Sequence, residues 1–269
     1  MNPFVNSYIT AVSFSCFFMS LMWFWGKSRN NYAVIDVGWG LVIAGIASIF
    51  AALGNGTVYA KLAILVPVWI WAIRLSGFLY WTRIRTGHPE DKRYSDFRND
   101  YGDWVHRKFF TNVFLLQGFL ALLLSGPFIV ASEWQWNPSS FEFVFPATGG
   151  ILFLIGVFGE GLADKQLHSF LEAPTNKGKL CNVGLWKYSR HPNYFFEWVI
   201  WLGIGIIPLA SGFRWAPVSL FSPLVMFVLL RFISGVPFAE KSSLSSKGNI
   251  FRGYQKTTNA FFPWFPKES

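Results

Sequence analysis

The sequence predicts an all-α fold, a polytopic membrane bundle of seven transmembrane helices with the N-terminus outside and the C-terminus cytoplasmic. Three observations predict it. Hydrophobic residues fill 52% of the 269 positions and charged residues only 14%, a balance foreign to soluble domains. Seven stretches reach the length of about 20 apolar residues that a spanning helix needs. Finally, the cations gather on one side of those stretches, which sets their orientation.

The spans follow in order. The first, 4–26, runs past the length of a signal-peptide core, lacks a basic flank and has no small-residue cleavage site before Lys27, so it is expected to stay as a helix. The second, 33–53, carries Asp36 about one turn in, within Ile35-Asp36-Val37-Gly38-Trp39-Gly40, where two glycines permit close helix approach. The third, 60–82, holds Arg74, and a polar loop, 83–111, follows. Spans 112–132 and 143–163 come next, the latter ending near Glu160 and Asp164, four residues apart and so on one helix face. A second polar loop, 164–194, leads into spans 195–212 and 216–236, and a tail, 237–269, closes the chain. None of the seven alternates apolar with polar, and all are too long for barrel strands. Without an internal repeat or a low-complexity linker, residues 1–269 read as a single membrane-embedded domain.

Net charge +9 raises nucleic acid as a partner, but position decides against it. With the N-terminus outside, every one of the 23 Lys and Arg except Lys61, Arg214 and the intramembrane Arg74 falls in the cytoplasmic segments 27–29, 83–111, 164–194 and 231–269. Topology and anionic headgroups account for such loops without a ligand. The same segments contain all four histidines, His88, His106, His168 and His191. Cys16 in a span and Cys181 in a loop cannot meet as a disulfide, and no metal-ligating cluster is present.

Ionisable groups within spans cost several kcal/mol and turn toward protein or water. Asp36, Arg74, Glu160, Glu197 and Arg231 stand out, and an Asp36–Arg74 ion pair is the plain structural expectation. The densest polar segment is Gly184-Leu185-Trp186-Lys187-Tyr188-Ser189-Arg190-His191-Pro192-Asn193-Tyr194, running into Glu197. Pro192 reads as the first residue of a helix, with Ser189 or His191 near the cap. Unpaired N–H groups and the positive helix end then sit beside Arg190 and His191, an arrangement suited to an anion. Arg190, Asn193, Tyr194 and Glu197 fall three or four apart, as one polar stripe. The loop Arg83 to Tyr94, with its mixed charges, reads as solvated and held by local ion pairs. In the tail, Glu240-Lys241, Tyr254 and Phe261-Phe262-Pro263-Trp264-Phe265-Pro266 stand out, the last fitting an interfacial anchor. No phosphate loop and no G-x-G-x-x-G turn occurs.

The segment Gly184 to Tyr194 with Glu197, the Glu90-Asp91-Lys92-Arg93-Tyr94 loop, Asp164, Glu240-Lys241 and the Phe-Pro-Trp tail together resemble the steroid 5-alpha-reductase C-terminal domain family, including its bacterial branch. The resemblance covers most of the chain. It implies a seven-helix oxidoreductase that takes NADPH from the cytosol and a flat apolar enone, such as a 3-oxo-4-ene steroid or similar lipid, from the bilayer. For a bacterial protein the place would be the inner membrane; no nucleic acid and no obligatory protein partner is expected. By resemblance, Asn193 and Asp164 contact the cofactor. Basic residues hold its phosphates, with Arg190, His191, Arg83, Arg85, Arg93, Lys179 and Arg231 the candidates because Arg makes charge-assisted bonds to phosphate. Tyr188, Tyr94, Glu240 and Tyr254 complete the expected cofactor side. Hydride delivery to an enone needs an acid at the carbonyl; Trp71 stands where the family has a tyrosine, which leaves Asp36 as that acid, with Glu197 and Tyr194 as further catalytic candidates.

A second class is similar in the same segment: membrane methyltransferases of the isoprenylcysteine carboxyl methyltransferase kind share the Arg-His-Pro-x-Tyr pattern and a Glu and a Tyr near the tail, here Glu240 and Tyr254. Their cofactor would be S-adenosylmethionine. A non-enzymatic lipid-binding or transport protein is the third class, though transport expects polar residues through the whole bilayer thickness, and here they crowd one half.

Overall fold

The computed structural model describes residues 3–85, 89–137 and 141–267, and the described residues contain helices and turns and no strand. We number eight helical elements: α1 Pro3–Ser28, α2 Val34–Leu53, α3 Val58–Ile84, α4 Lys92–Leu123, α5 Gly126–Glu133, α6 Val144–Glu172, α7 Pro192–Ser211 and α8 Ala216–Thr257. Six are long and apolar enough to cross a membrane, and α4 with α5 forms a bent pair that makes a seventh. Large apolar side chains such as Phe17, Ile73 and Phe158 point outward from α1, α3 and α6, as they do where the surrounding solvent is lipid tails. The chain is a multi-pass integral membrane protein.

Contacts gather into two compact units, Met1–Ala147 with Ile204–Ser222 and Thr148–Gly203 with Pro223–Ser269. In the first, α2 lies innermost and packs against α1, α3, α4 and α5. Helices in lipid gain little from hydrophobicity when they associate, so close packing and interhelical hydrogen bonds must hold them. At Gly40 that requirement is explicit: a Cβ there would stand 3.2 Å from the Ala72 Cα of α3. The close approach lets the Ser76 hydroxyl donate to the Val37 carbonyl across the pair at 2.8 Å. In the second unit Gly203 of α7 plays the same part, with its Cβ position 2.5 Å from the Gly149 carbonyl of α6.

Four segments differ from the expectation, the first being the loop at 164–194, whose start continues α6 as helix to Glu172. The span at 112–132 is not straight: α4 ends at Leu123 and α5 leaves at 43°. Pro127 has no N–H to continue the ladder, and the Ser125 hydroxyl instead donates to the Leu122 carbonyl at 2.6 Å. The loop 83–111 is helical from Lys92, because the Asp91 side chain accepts from the Arg93 N–H as an N-cap. The tail is helical too. In α8 the apolar part, 216–233, breaks at Ser234–Gly235, and the polar part Val236–Thr257 continues. His88 lies outside the described residues.

Candidate functional site

The expected site residues fall into two clusters, one in each unit. In the first unit Asp36 accepts from three donors. Arg83 Nη1 and Arg93 Nη2 both reach Oδ2, the latter at 2.8 Å, while the Tyr94 hydroxyl donates to Oδ1 at 2.6 Å. Asp36 therefore meets Arg83 and Arg93. Asp91 ties the group together, accepting from Arg93 Nε at 3.0 Å and lying 3.5 Å from Arg83 Nη1. Burial alone would raise the Asp91 carboxyl. The Arg93 bonds and the Arg83 charge outweigh it and hold the group below the usual carboxylate range. The charges on this quartet of two Arg and two Asp cancel, so the ion pairs expected to hold the loop extend to the intramembrane Asp36.

A neighbouring network escaped the sequence reading. Glu90 Oε1 accepts the Tyr32 N–H at 2.7 Å and its two oxygens receive Arg98 Nε and Nη2 at 3.1 and 3.0 Å. Tyr32 is fully buried, stacks on Phe109 at 4.0 Å and places its hydroxyl 2.5 Å from His106 Nδ1. The one signal available for Asp91 was an acidic residue just ahead of a helix-forming stretch, a cap pattern. For Tyr32, Arg98 and His106 no spacing pointed to the contact.

In the second unit α7 does begin at Pro192. The residues before it form a tight turn: Gly184 takes φ 56°, Trp186 donates to the Ala163 carbonyl at 2.9 Å, and the Ser189 hydroxyl accepts the His191 N–H at 3.2 Å. The expected stripe splits. Arg190 turns to the tail, giving Nε and Nη2 to Glu240 Oε1 at 2.8 and 2.6 Å and Nη1 to the Gln255 and Thr258 carbonyls. Glu240 is also met by Gln255 Nε2 at 2.7 Å and by His191 Nε2 at 3.4 Å. Burial lowers the His191 pKa more than Glu240 raises it, which favours a neutral ring, and that ring stacks on Tyr194 at 5.5 Å. Tyr254 donates to the Trp186 and Ser189 carbonyls. Arg190, Glu240 and Tyr254 thus fasten α8 to the start of α7.

Asn193 does meet Asp164, with Nδ2 3.4 Å from Oδ1. Its own Oδ1 is buried and has no hydrogen-bond partner among the described residues. Glu197, buried, accepts from Trp201 Nε1 at 3.2 Å, one turn further along α7. The other cations expected at phosphates lie apart from this pair in their contacts. Arg85 is exposed and sits 3.9 Å over the Trp81 ring, Arg231 lies 5.1 Å over Phe232, and the exposed Lys179 contributes its carbonyl to Lys247. Tyr188 offers its carbonyl to the Trp264 N–H at 2.9 Å.

An uncharacterized protein of Schizosaccharomyces pombe (strain 972) is similar at 23% identity over 292 aligned positions, covering 96% of this chain and 80% of the relative. No solved structure matches. A family model described as "Protein of unknown function (DUF1295)" matches residues 22–258, from the end of α1 to the end of α8, so the chain belongs to that family.

Proposed function

We propose that this protein is a membrane-embedded reductase that takes NADPH at the Asp164–Asn193 pair and saturates the enone double bond of an apolar lipid, a 3-oxo-4-ene steroid or a compound of similar shape. One observation carries the reading: the Asn193 carbonyl oxygen, buried and without a partner, beside the Asp164 carboxylate. A buried acceptor left unsatisfied costs about 1–3 kcal/mol, and a carboxamide or ribose hydroxyl of a nicotinamide nucleotide is a donor of the right kind. Bound NADPH would supply hydride to the β-carbon of the enone. The chain's own residues would then deal with charge and protons. As the β C–H bond forms, the C=C electrons move onto the carbonyl oxygen, which needs a hydrogen-bond donor; a proton on the α-carbon completes the reduction. Tyr194 and Glu197, which follow Asn193 on α7 in the same unit, are the candidate donors.

The cation set available for phosphate is smaller than the sequence implied. Arg190 is committed to Glu240 and to two carbonyls, and Arg83 and Arg93 to Asp36 and Asp91. In the unit that holds the Asp164–Asn193 pair, Lys179 and Arg231 are left for that role. The methyltransferase alternative rests on Glu240 and Tyr254, whose polar atoms are likewise spent on Arg190, Gln255 and the Trp186 carbonyl.

The test is titration of the detergent-purified protein with NADPH, followed by loss of the reduced nicotinamide on adding a 3-oxo-4-ene steroid. Asn193→Ala is expected to weaken NADPH binding about tenfold, the worth of one or two hydrogen bonds. Tight S-adenosylmethionine binding with no response to NADPH would sink the reading.

A further inference from the structure

After the polar helix Val236–Thr257 the chain turns back and is pinned by backbone bonds. The Arg190 N–H donates to the Asn259 carbonyl at 2.8 Å, the Trp264 N–H to the Tyr188 carbonyl at 2.9 Å, and the Lys267 N–H to the Thr257 carbonyl at 2.8 Å. The Ser189 hydroxyl adds a bond to the Phe261 carbonyl at 2.9 Å. Residues 259–264 are therefore fastened along 188–190, directly ahead of the first turn of α7. Phe261 is buried, with its ring 5.3 Å from Phe227 of the apolar part of α8. Phe262 lies 5.7 Å from Trp198 of α7 and 5.9 Å from Phe227. The hook so formed sits at the depth where α7 enters its apolar run and the apolar part of α8 ends.

Its outer face is nonetheless aromatic. Phe262, Trp264 and Phe265 are 50%, 69% and 76% exposed, and Pro263 and Pro266 bias Phe262 and Phe265 toward extended backbone. A segment this firmly bonded has no freedom to tuck those rings away, and a rigid apolar patch marks a surface that something covers. The rim of the patch is cationic. Lys187 precedes the residue that bonds Trp264, Lys256 precedes the residue that bonds Lys267, and all three lysines are exposed. Trp and Phe beside Lys, at the end of two spans, match the headgroup layer, where amphipathic rings settle and anionic phosphates lie within reach.

We propose that residues 261–267 form a lipid hook: Phe262, Trp264 and Phe265 lie in the headgroup region of an anionic leaflet, with Lys187, Lys256 and Lys267 on its phosphates. This does not depend on the reductase reading. The test uses the full chain with Cys16→Ser and Cys181→Ser, carrying an environment-sensitive label at Trp264→Cys and, in a second preparation, at Phe265→Cys. Each is reconstituted in vesicles of phosphatidylcholine, with or without phosphatidylglycerol. Brominated acyl chains are expected to quench the label while aqueous iodide does not, with stronger quenching when phosphatidylglycerol is present. Lys187→Ser, Lys256→Ser and Lys267→Ser combined should abolish that gain. Iodide quenching equal to that of a label at Arg252→Cys, on the exposed polar helix, overturns the proposal. So does shielding from both quenchers, which would mean a protein partner, or indifference to phosphatidylglycerol.

Discussion

At the scale of single residues, Asp36 holds the first unit's polar group together. A lone carboxylate one turn inside a membrane helix is expensive, and so are two guanidiniums brought to it. Together, with Asp91, they cancel. Removing one member leaves the others uncompensated, so Asp36→Asn should cost about 3 kcal/mol of stability, the low end for unpairing a buried charge. The low end applies because the Arg83 and Arg93 side chains remain 33% and 30% exposed and water screens them. Tyr94→Phe keeps both ion pairs and loses one hydrogen bond, about 1 kcal/mol. Thermal unfolding in detergent orders the two variants; an Asp36→Asn protein as stable as Tyr94→Phe would show that the quartet does not hold the unit. Little of this was legible in advance. Asp36 announced that it needed a partner, but a sequence carries no distance, and Arg74 in a neighbouring span was as plausible a partner as Arg83 or Arg93. Asn193 and Asp164 were paired only through family resemblance, since no helical spacing links residues 29 apart.

At the scale of elements, the apolar runs were readable nearly to their ends. The stretch expected at 33–53 is a helix from Val34 to Leu53, and that at 195–212 runs from Pro192 to Ser211. Length and hydropathy suffice there, because lipid demands an unbroken ladder of internal hydrogen bonds. The break after α4 was harder to see: Gly126 and Pro127 lie within a mostly apolar run, and hydropathy is blind to a missing N–H. The helices at 92–101 and 236–257 were hidden for the opposite reason, as their polar faces read like loop. Packing between elements rests on small residues, and α2 against α3 tests it. Gly40→Val would drive a branched side chain toward the Ala72 backbone, where even the Cβ has only 3.2 Å. The helices must part and the Ser76–Val37 bond must lengthen. Overpacking of this kind costs about 1–3 kcal/mol. The expected result is a lowered unfolding midpoint for Gly40→Val, with a smaller loss for Gly40→Ala. Equal loss at an open position such as Gly77→Val, whose Cβ would meet nothing within 4 Å, would place the effect elsewhere.

At the scale of the whole molecule, the expectation of an outside N-terminus and a cytoplasmic C-terminus rests on charge alone, since no helix packing prefers one side of a membrane. Lys and Arg resist translocation, and the bias counts short loops near the span ends. Of the 23 cations only Lys61 and Arg214 stand at the sparsely charged ends of the spans. Lys61 is already held there, its Nζ donating to the Gly54 carbonyl at 2.8 Å, whereas the opposite ends carry the loop at 83–111, the segment at 164–194 and the tail. Inverting the chain would carry all of those across. The expected orientation would turn the cation-rich segments toward the cytosol, where a soluble nucleotide cofactor is found. Two reporter cysteines in a Cys16→Ser, Cys181→Ser background decide the matter. Glu142→Cys, between α5 and α6, should react with a membrane-impermeant maleimide on intact cells. Arg252→Cys, on the polar part of α8, should react only after permeabilisation. The reverse pattern would put the basic side outside, and labelling of both on intact cells would mean that the number of crossings between residues 142 and 252 is even.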